Sequence, residues 1–397
     1  MKEFIALMAL LTAMVALSID AVLPALEPMA HDLSVVSRND IQYVVGAFFI
    51  GTIFGQFIYG PVSDTIGRRK SLLSGIILFM IGSIICLIAP NLETMLIGRA
   101  MQGLGASGPR IMTMAMVRDK YTGREMARIM SIIMSCFILV PALAPSVGQL
   151  ILMFASWHGI FILYMSYALI VFIWSYLRLD ETLAPEKHRP FDIPDLYGAL
   201  KEAATSRITL GYSLCSGVIF AMMLGYIHSA EQIYHEIFKV GDMFPVYFGM
   251  LALGLGAASF INSAMVRRYG MRNITMCALA AAILASFLNL VFTLYFGGNL
   301  LSFMMAAGII FFCMGMTFGN VSTMALEPMG HIAGMASAFM ASVSTLISLL
   351  IGGSIGQMYD GTILPLSIGY FALSTIALIM MFWIERGVPH SHEKPTP

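Results

Sequence analysis

Of the 397 residues, 58% are apolar and only 11% charged, with Lys+Arg and Asp+Glu at 22 each. Soluble domains carry about 25% charged residues, so a water-soluble globule and a disordered chain are excluded, as is a nucleic-acid binder for want of any basic excess. A polytopic membrane protein fits. The start, Met1-Lys2-Glu3 and then an apolar run from Phe4, lacks a small-x-small cleavage site and reads as a first spanning helix rather than a signal peptide. A helix needs roughly 20 apolar residues to cross ~30 Å of hydrocarbon. That window predicts twelve spans, at about 4–26, 41–62, 71–89, 94–117, 127–152, 159–178, 208–229, 244–265, 274–296, 300–325, 332–358 and 363–384. Short turns carry Pro90-Asn91, Gly297-Gly298-Asn299 and Asp360-Gly361. One longer polar stretch divides the chain, so the expected organisation is a six-helix half at 1–178, a central loop at 179–207, a second half at 208–386 and a tail at 387–397. Cys86, Cys136, Cys215, Cys277 and Cys313 all lie in apolar runs without CxxC spacing.

Orientation follows from the basic residues, which cytoplasmic loops retain. With the N-terminus inside, eighteen of the 22 Lys and Arg residues fall in cytoplasmic segments, and the opposite side keeps only Arg38 and Lys239. Both termini are therefore expected in the cytoplasm. Arg99 and Arg110 lie within a span.

The chain reads as two copies of one unit. Helices 1 and 7, and helices 6 and 12, begin about 204 residues apart, and Gly60–Lys70 after helix 2 has a worn echo in Ser263–Arg272 after helix 8. Two halves related by an axis along the membrane normal place a substrate site at the midplane between them, reached by alternating access.

Gly60-x-x-x-Asp64-x-x-Gly67-Arg68-Arg69 resembles the loop 2–3 signature of the major facilitator superfamily, with Thr65 where a base is usual. Arg99-x-x-Gln102-Gly103-x-Gly105-Ala106 resembles its helix-4 motif. The run Pro141, Pro145 and Gly148 resembles the helix-5 motif of its antiporters, with Gln149 where a second Gly is common. Ser18-Ile-Asp20, Val117-Arg118-Asp119 and Gly334–Ala338 look like the Bcr/CflA drug exporters of bacteria. The resemblance implies an all-α membrane fold of twelve helices in two pseudo-symmetric halves, placed in a bacterial inner membrane. It also implies that Gly60, Asp64, Gly67, Arg68, Arg69 and Asp119 build a cytoplasmic gate.

Ionisable side chains inside a bilayer are costly, and each is a functional candidate. Asp20 sits ~9 Å inside the outer end of helix 1 and Arg99 ~7 Å inside that of helix 4, at 1.5 Å per residue. Matching depths allow an ion pair or a shared proton, so the two are the proton-coupling candidates. Arg110 follows Arg99 by eleven residues, about three turns, on one stripe with Gln102, and is a substrate or gating candidate. Pro109 can bend the helix there.

Met222, Met223, Glu231 and Asn320 are further candidates for the substrate cavity, since thioethers repack around varied ligands. Asn320 could equally stitch helices together. His228, Glu231 and His235-Glu236 lack HExxH order, and no metal is expected. No GxxxxGK[ST] loop is present, so ATP does not drive the cycle. The expected activity is proton-coupled export of small amphipathic compounds, antibiotics included, by a monomer without cofactor, whose partners are small-molecule substrates, protons and the lipid bilayer. A dedicated carrier of one metabolite, such as a siderophore, an amino acid or a sugar, uses the same machine and stays open. A non-transporting receptor or assembly factor is the remote alternative.

Overall fold

The computed structural model describes residues 2–188 and 192–386, and every regular element among them is helical. Arg189 and the tail at 387–397 lie outside the described residues. Twelve long helices follow in order: α1 Lys2–Asp20, α2 Tyr43–Ile66, α3 Arg68–Leu87, α4 Leu92–Lys120, α5 Gly123–Leu152, α6 His158–Arg178, α7 Arg207–Gln232, α8 Phe244–Tyr269, α9 Met271–Phe296, α10 Leu300–Leu326, α11 Ala333–Gln357 and α12 Leu364–Glu385. The chain forms two compact units, Met1–Tyr197 and Gly198–Pro397. The first holds α1–α6 and the second α7–α12.

Each unit repeats one packing scheme. In the first, α4 lies against α2 and α3, α1 against α5 and α4, and α3 against α6. In the second, α10 lies against α8 and α9, α7 against α11 and α10, and α9 against α12. Every pair in the first scheme becomes a pair in the second by advancing both helix numbers by six. The duplication read from the sequence is therefore a duplication of contacts.

Ten stretches are long and apolar enough to cross a membrane, one of them the continuous run Leu300–Gln357, which contains both α10 and α11. A 3-10 turn, Glu327–Ile332, divides those two, with Met329 off helical geometry. The long helix missing from the apolar set is α4, which carries Glu93, Arg99, Gln102, Arg110 and Arg118 among many small residues. Arg99 and Gln102 are buried, where the other helices of the unit take the place of lipid, while Glu93, Arg110 and Arg118 are exposed.

Local chemistry sets the ends. Asn91 caps α4 by accepting the Thr94 amide at 2.9 Å. Asn299 and Ser302 exchange bonds in a capping box at the start of α10, just after the left-handed Gly297 that ends α9. Two expectations need correction. The first regular helix stops at Asp20, short of residue 26, because Pro24 has no amide to offer the Asp20 carbonyl. A 3-10 turn, Leu23–Ala25, and a short helix, Leu26–Asp32, extend the run to Asp32 and leave Asp20 deeper than the sequence suggested. The central polar stretch is not all loop. It holds the helix Ile193–Thr205, where Leu196, Ala199, Leu200 and Ala203 recur at helical spacing and Ala203 is fully buried.

Candidate functional site

At the basic end of the first unit, the backbone breaks between α2 and α3 at Gly67, held at φ 97° and ψ 155°. Only glycine adopts that conformation without strain. The break gives the start of α3 unpaired amides, and the Glu181 carboxylate fills them. It accepts the amides of Arg68 at 2.9 Å and Arg69 at 3.1 Å, and those of its own neighbours Thr182 at 2.9 Å and Leu183 at 3.0 Å. Partial burial pushes the Glu181 carboxyl up, yet the amides of Leu183, Arg69, Arg68 and Thr182 together hold it below its usual range.

Beside this cap the Arg68 guanidinium pairs with Asp64 at 2.6 Å and with Asp119 of α4 at 3.2 Å. Arg68 is nearly buried, Asp119 mostly so, and Asp64 is 44% exposed. The Asp64–Arg68 pair forms across the break between the two helices. Ser63 and Thr182 complete the cluster, Ser63 accepting from Arg68 and Thr182 donating to Asp119. Arg69 stacks on Tyr176 and donates to its carbonyl. Gly60 has open space where a side chain would go, so no steric need for glycine is visible there. At Thr65, where a base was expected, the backbone carbonyl accepts from His188 at 3.0 Å.

Deeper in the same unit Arg99 is completely buried. Its Nε donates to the Val44 carbonyl at 3.0 Å, Nη1 to Gln102 Oε1 at 2.8 Å and Nη2 to the Ser18 carbonyl at 3.1 Å, while Phe48 lies under the guanidinium at 4.8 Å. Ser18 belongs to the last turn of α1, where carbonyls lack helical partners and the helix dipole favours a cation. Tyr164 donates to the carbonyls of Leu17 and Ser18 at 3.3 Å. Gln102 is fully buried and donates to Ser83 at 2.8 Å, so it belongs to this network. All of Arg99's hydrogen-bond acceptors are neutral. Asp20, two residues beyond Ser18, is 4% exposed, and among the described residues its carboxyl has no hydrogen-bond or ion-pair partner. Of the ion pair or shared proton that the matching depths allow for Asp20 and Arg99, no ion pair forms among the described contacts.

Arg110 differs from Arg99 in its surroundings. It is exposed and stands 5.9 Å from the Phe137 ring of α5, with no carboxylate paired to it among the described residues. The helix α5 runs unbroken through Pro141 and Pro145. A side chain at Gly148 would collide with the Ala21 carbonyl, so this glycine lets α5 meet the chain just past Asp20.

In the second unit the candidates occupy separate seams. Met222 is buried against Ser374 of α12 at 3.3 Å, and Met223 is half-buried. Asn320 of α10 exchanges amide hydrogen bonds with Asn262 of α8 at 3.0 and 2.8 Å. Glu231 and His228 are buried, and the His228 Nδ1 bonds the Leu224 carbonyl at 2.8 Å. Beyond Gln232 the chain makes a π turn, Ile233–Ile237, in an aromatic cluster around Tyr226 and Tyr234. At the basic end Arg272 pairs with Glu385 at 3.2 Å, which also accepts from Tyr212 at 3.1 Å. Glu181, Asn262 and Glu385 escaped sequence reasoning. The repeat offset alone could have pointed to the two glutamates: Glu385 ends α12, and Glu181 follows shortly after the end of α6.

Comparison with known proteins agrees with this architecture. The sequence profile described as Major Facilitator Superfamily matches residues 8–353. The MFS-type transporter YdgK of Bacillus subtilis is 31% identical over 387 residues, covering 96% of this chain and 94% of that protein. The bicyclomycin resistance protein homolog of Haemophilus influenzae is 25% identical over 96% of both chains, and multidrug resistance protein D of Escherichia coli is 24% identical over 94% of this chain and 92% of its own. Among solved structures, the xylose transporter XylE of E. coli superposes with a TM-score of 0.78 at 14% identity, over 98% of this chain and 97% of that one. Duplicated six-helix packing, motif geometry and near full-length matches lead to one conclusion: this multi-pass membrane protein belongs to the Major Facilitator Superfamily and is a transporter, not an enzyme.

Proposed function

We propose that the protein exports small amphipathic compounds, antibiotics among them, in exchange for protons across a bacterial inner membrane, with both termini cytoplasmic. The observation that carries the coupling is Asp20, a buried carboxyl at the end of a spanning helix with no cation bound to it among the described residues. A carboxyl paired to Arg99 would be fixed in its charged state. One that stands apart, while Arg99 is satisfied by carbonyls and Gln102, is free to gain and lose a proton. The names of the Haemophilus and E. coli relatives, bicyclomycin resistance and multidrug resistance, support the drug-export reading.

Arg110 supplies the substrate preference. An exposed guanidinium far along a spanning helix, held among the described residues by an aromatic face, calls for a carboxylate or an electron-rich partner from a ligand. Neutral, zwitterionic and acidic compounds are therefore favoured over lipophilic dications. The cluster of Asp64, Arg68, Asp119 and Glu181 acts as the cytoplasmic gate.

The test is a susceptibility panel in an efflux-deficient host overproducing the wild type or Asp20→Asn, paired with ligand-driven proton release from solubilised protein. Resistance to several unrelated compounds, lost in the variant together with proton release, supports the reading. Resistance to none, or unchanged release in Asp20→Asn, overturns it.

A further inference from the structure

A cavity of about 440 Å³ opens at the basic end of the second unit, between the first turns of α9 and the end of α12. Its lining is Arg272, Asn273, Met276, Phe382, Glu385 and Arg386. Two guanidiniums face one carboxylate, and that carboxylate is already engaged by Arg272 and Tyr212. Arg386 has no partner among the described residues. Among the described residues, the cavity thus keeps a positive balance.

The first unit shows what such a place holds. There, Glu181 reaches the start of α3 and accepts the amides of Arg68 and Arg69. Gly270 starts α9 much as Gly67 starts α3, at φ 76° and ψ 152°. The corresponding glutamate, Glu385, turns to the Arg272 side chain instead. Among the described residues, no carboxylate accepts the amides of Met271 or Arg272. Where one half supplies its own anion, the other has two arginines, a helix start and space.

The surroundings fix the kind of anion. Phe382, next to the cavity, is 57% exposed, Ile379 one turn earlier is 61% exposed and Trp383 is 53% exposed. These large apolar side chains lie on a spanning helix, where the outer solvent is lipid tail. Arg207 stacks on Trp383 and Arg268 on Tyr269, adding cations at the same end of the unit. A charged head over basic groups with hydrocarbon alongside is the shape of a phospholipid.

We propose that the cleft between α9 and α12 binds the phosphate of an anionic phospholipid, with Arg272 and Arg386 on the phosphate and the acyl chains along Phe382 and Ile379. Glu385 holds Arg272 in position and is not a ligand. Basic pockets between spanning helices suit such head groups, each basic residue being worth about fivefold in binding.

The experiment is native mass spectrometry of the purified full-length protein, titrated with phosphatidylglycerol, with phosphatidylcholine or with inorganic phosphate. Wild type should retain phosphatidylglycerol over phosphatidylcholine. Arg386→Gln should weaken that retention about fivefold, and Arg272→Gln at least as much. Arg386→Gln removes no described contact, so it stays informative where Arg272→Gln fails to fold. Displacement of the lipid by millimolar inorganic phosphate would assign the site to a free anion and overturn the lipid assignment. Equal retention of the two lipids, or retention unchanged in Arg386→Gln, would overturn the site itself.

Discussion

A side chain on Gly67 would run into the carboxylate of Glu181. The glycine of the loop signature thus answers two demands at once, a left-handed backbone angle and the close approach of an acid from more than a hundred residues away. Gly67→Ala should be destabilising on both counts, by roughly 1–3 kcal/mol, the usual cost of a strained backbone angle. A lowered melting temperature in detergent, with the double variant Gly67→Ala/Glu181→Ala losing less than the sum of the two single variants, checks the coupling. Additive losses would separate the two residues.

Glu181 also gives a pH dependence. Its folded carboxyl titrates below the ordinary 4.5, so its stabilisation is complete above that value and fades as pH falls through the depressed one. Glu181→Gln should lose about 1–2 kcal/mol at neutral pH, as when a good helix cap is removed. The gap between wild type and variant should close in acid. Parallel pH profiles of melting temperature would contradict this.

The two acids on Arg68 should differ. Asp119 is mostly buried and also accepts from Thr182, whereas Asp64 is half-open to solvent. Exposed ion pairs contribute about 0–1 kcal/mol, while stripping one partner from a buried pair costs up to about 3–5 kcal/mol. Asp119→Asn should therefore lower stability more than Asp64→Asn. Thermal unfolding of the two variants, side by side, gives the order directly.

Arg99→Lys keeps the charge and loses the planar fork that reaches Val44, Gln102 and Ser18 together. We expect a loss of about 2–4 kcal/mol from unmet buried groups. Gln102→Leu should be harmful too, since it leaves one arm of Arg99 without its acceptor. Asp20→Asn touches no described contact and should cost much less stability than Arg99→Lys. Stability is thus predicted to separate two buried charges that transport assays alone would group.

Arg110→Lys should impair export of carboxylate-bearing compounds more than neutral ones, with little effect on stability because the side chain is exposed. Transport of a fluoroquinolone, a phenicol and a dicationic dye by both proteins checks it. An equal loss for all three would make Arg110 a packing or gating element.

Most of the fold is legible because membrane helices announce themselves by apolar length and basic loops. The exception in hydropathy, α4, is legible for the opposite reason: polar and small residues mark a helix shielded from lipid. Contacts between distant segments are the hidden part. Glu181 looked like one acid in a polar linker, and nothing within ten residues shows that it caps α3. Asn320 drew attention as a polar residue in a span, but its partner Asn262 had no signature. Arg99 and Arg110 share a helical stripe, yet helical arithmetic on α4 could not show that α1 and α2 enclose the first while the second stands open beside Phe137. The Leu196–Ala203 spacing was visible and was overshadowed by the charge of its neighbourhood.

The Asn262–Asn320 exchange bears on movement within the second unit. Two amides that each give and take a hydrogen bond match only in one alignment, much as a key has one depth in its lock. Around them the seam between α8, α9 and α10 is made of Ala258, Ile274, Ala278, Ala282, Cys313 and Met316, smooth surfaces that would tolerate sliding. Shifting α8 past α10 by a single residue would strand both amides where no water can replace the lost bonds. The asparagines therefore fasten the two helices into a single rod, and any transport motion that involves α8 must carry α10 with it.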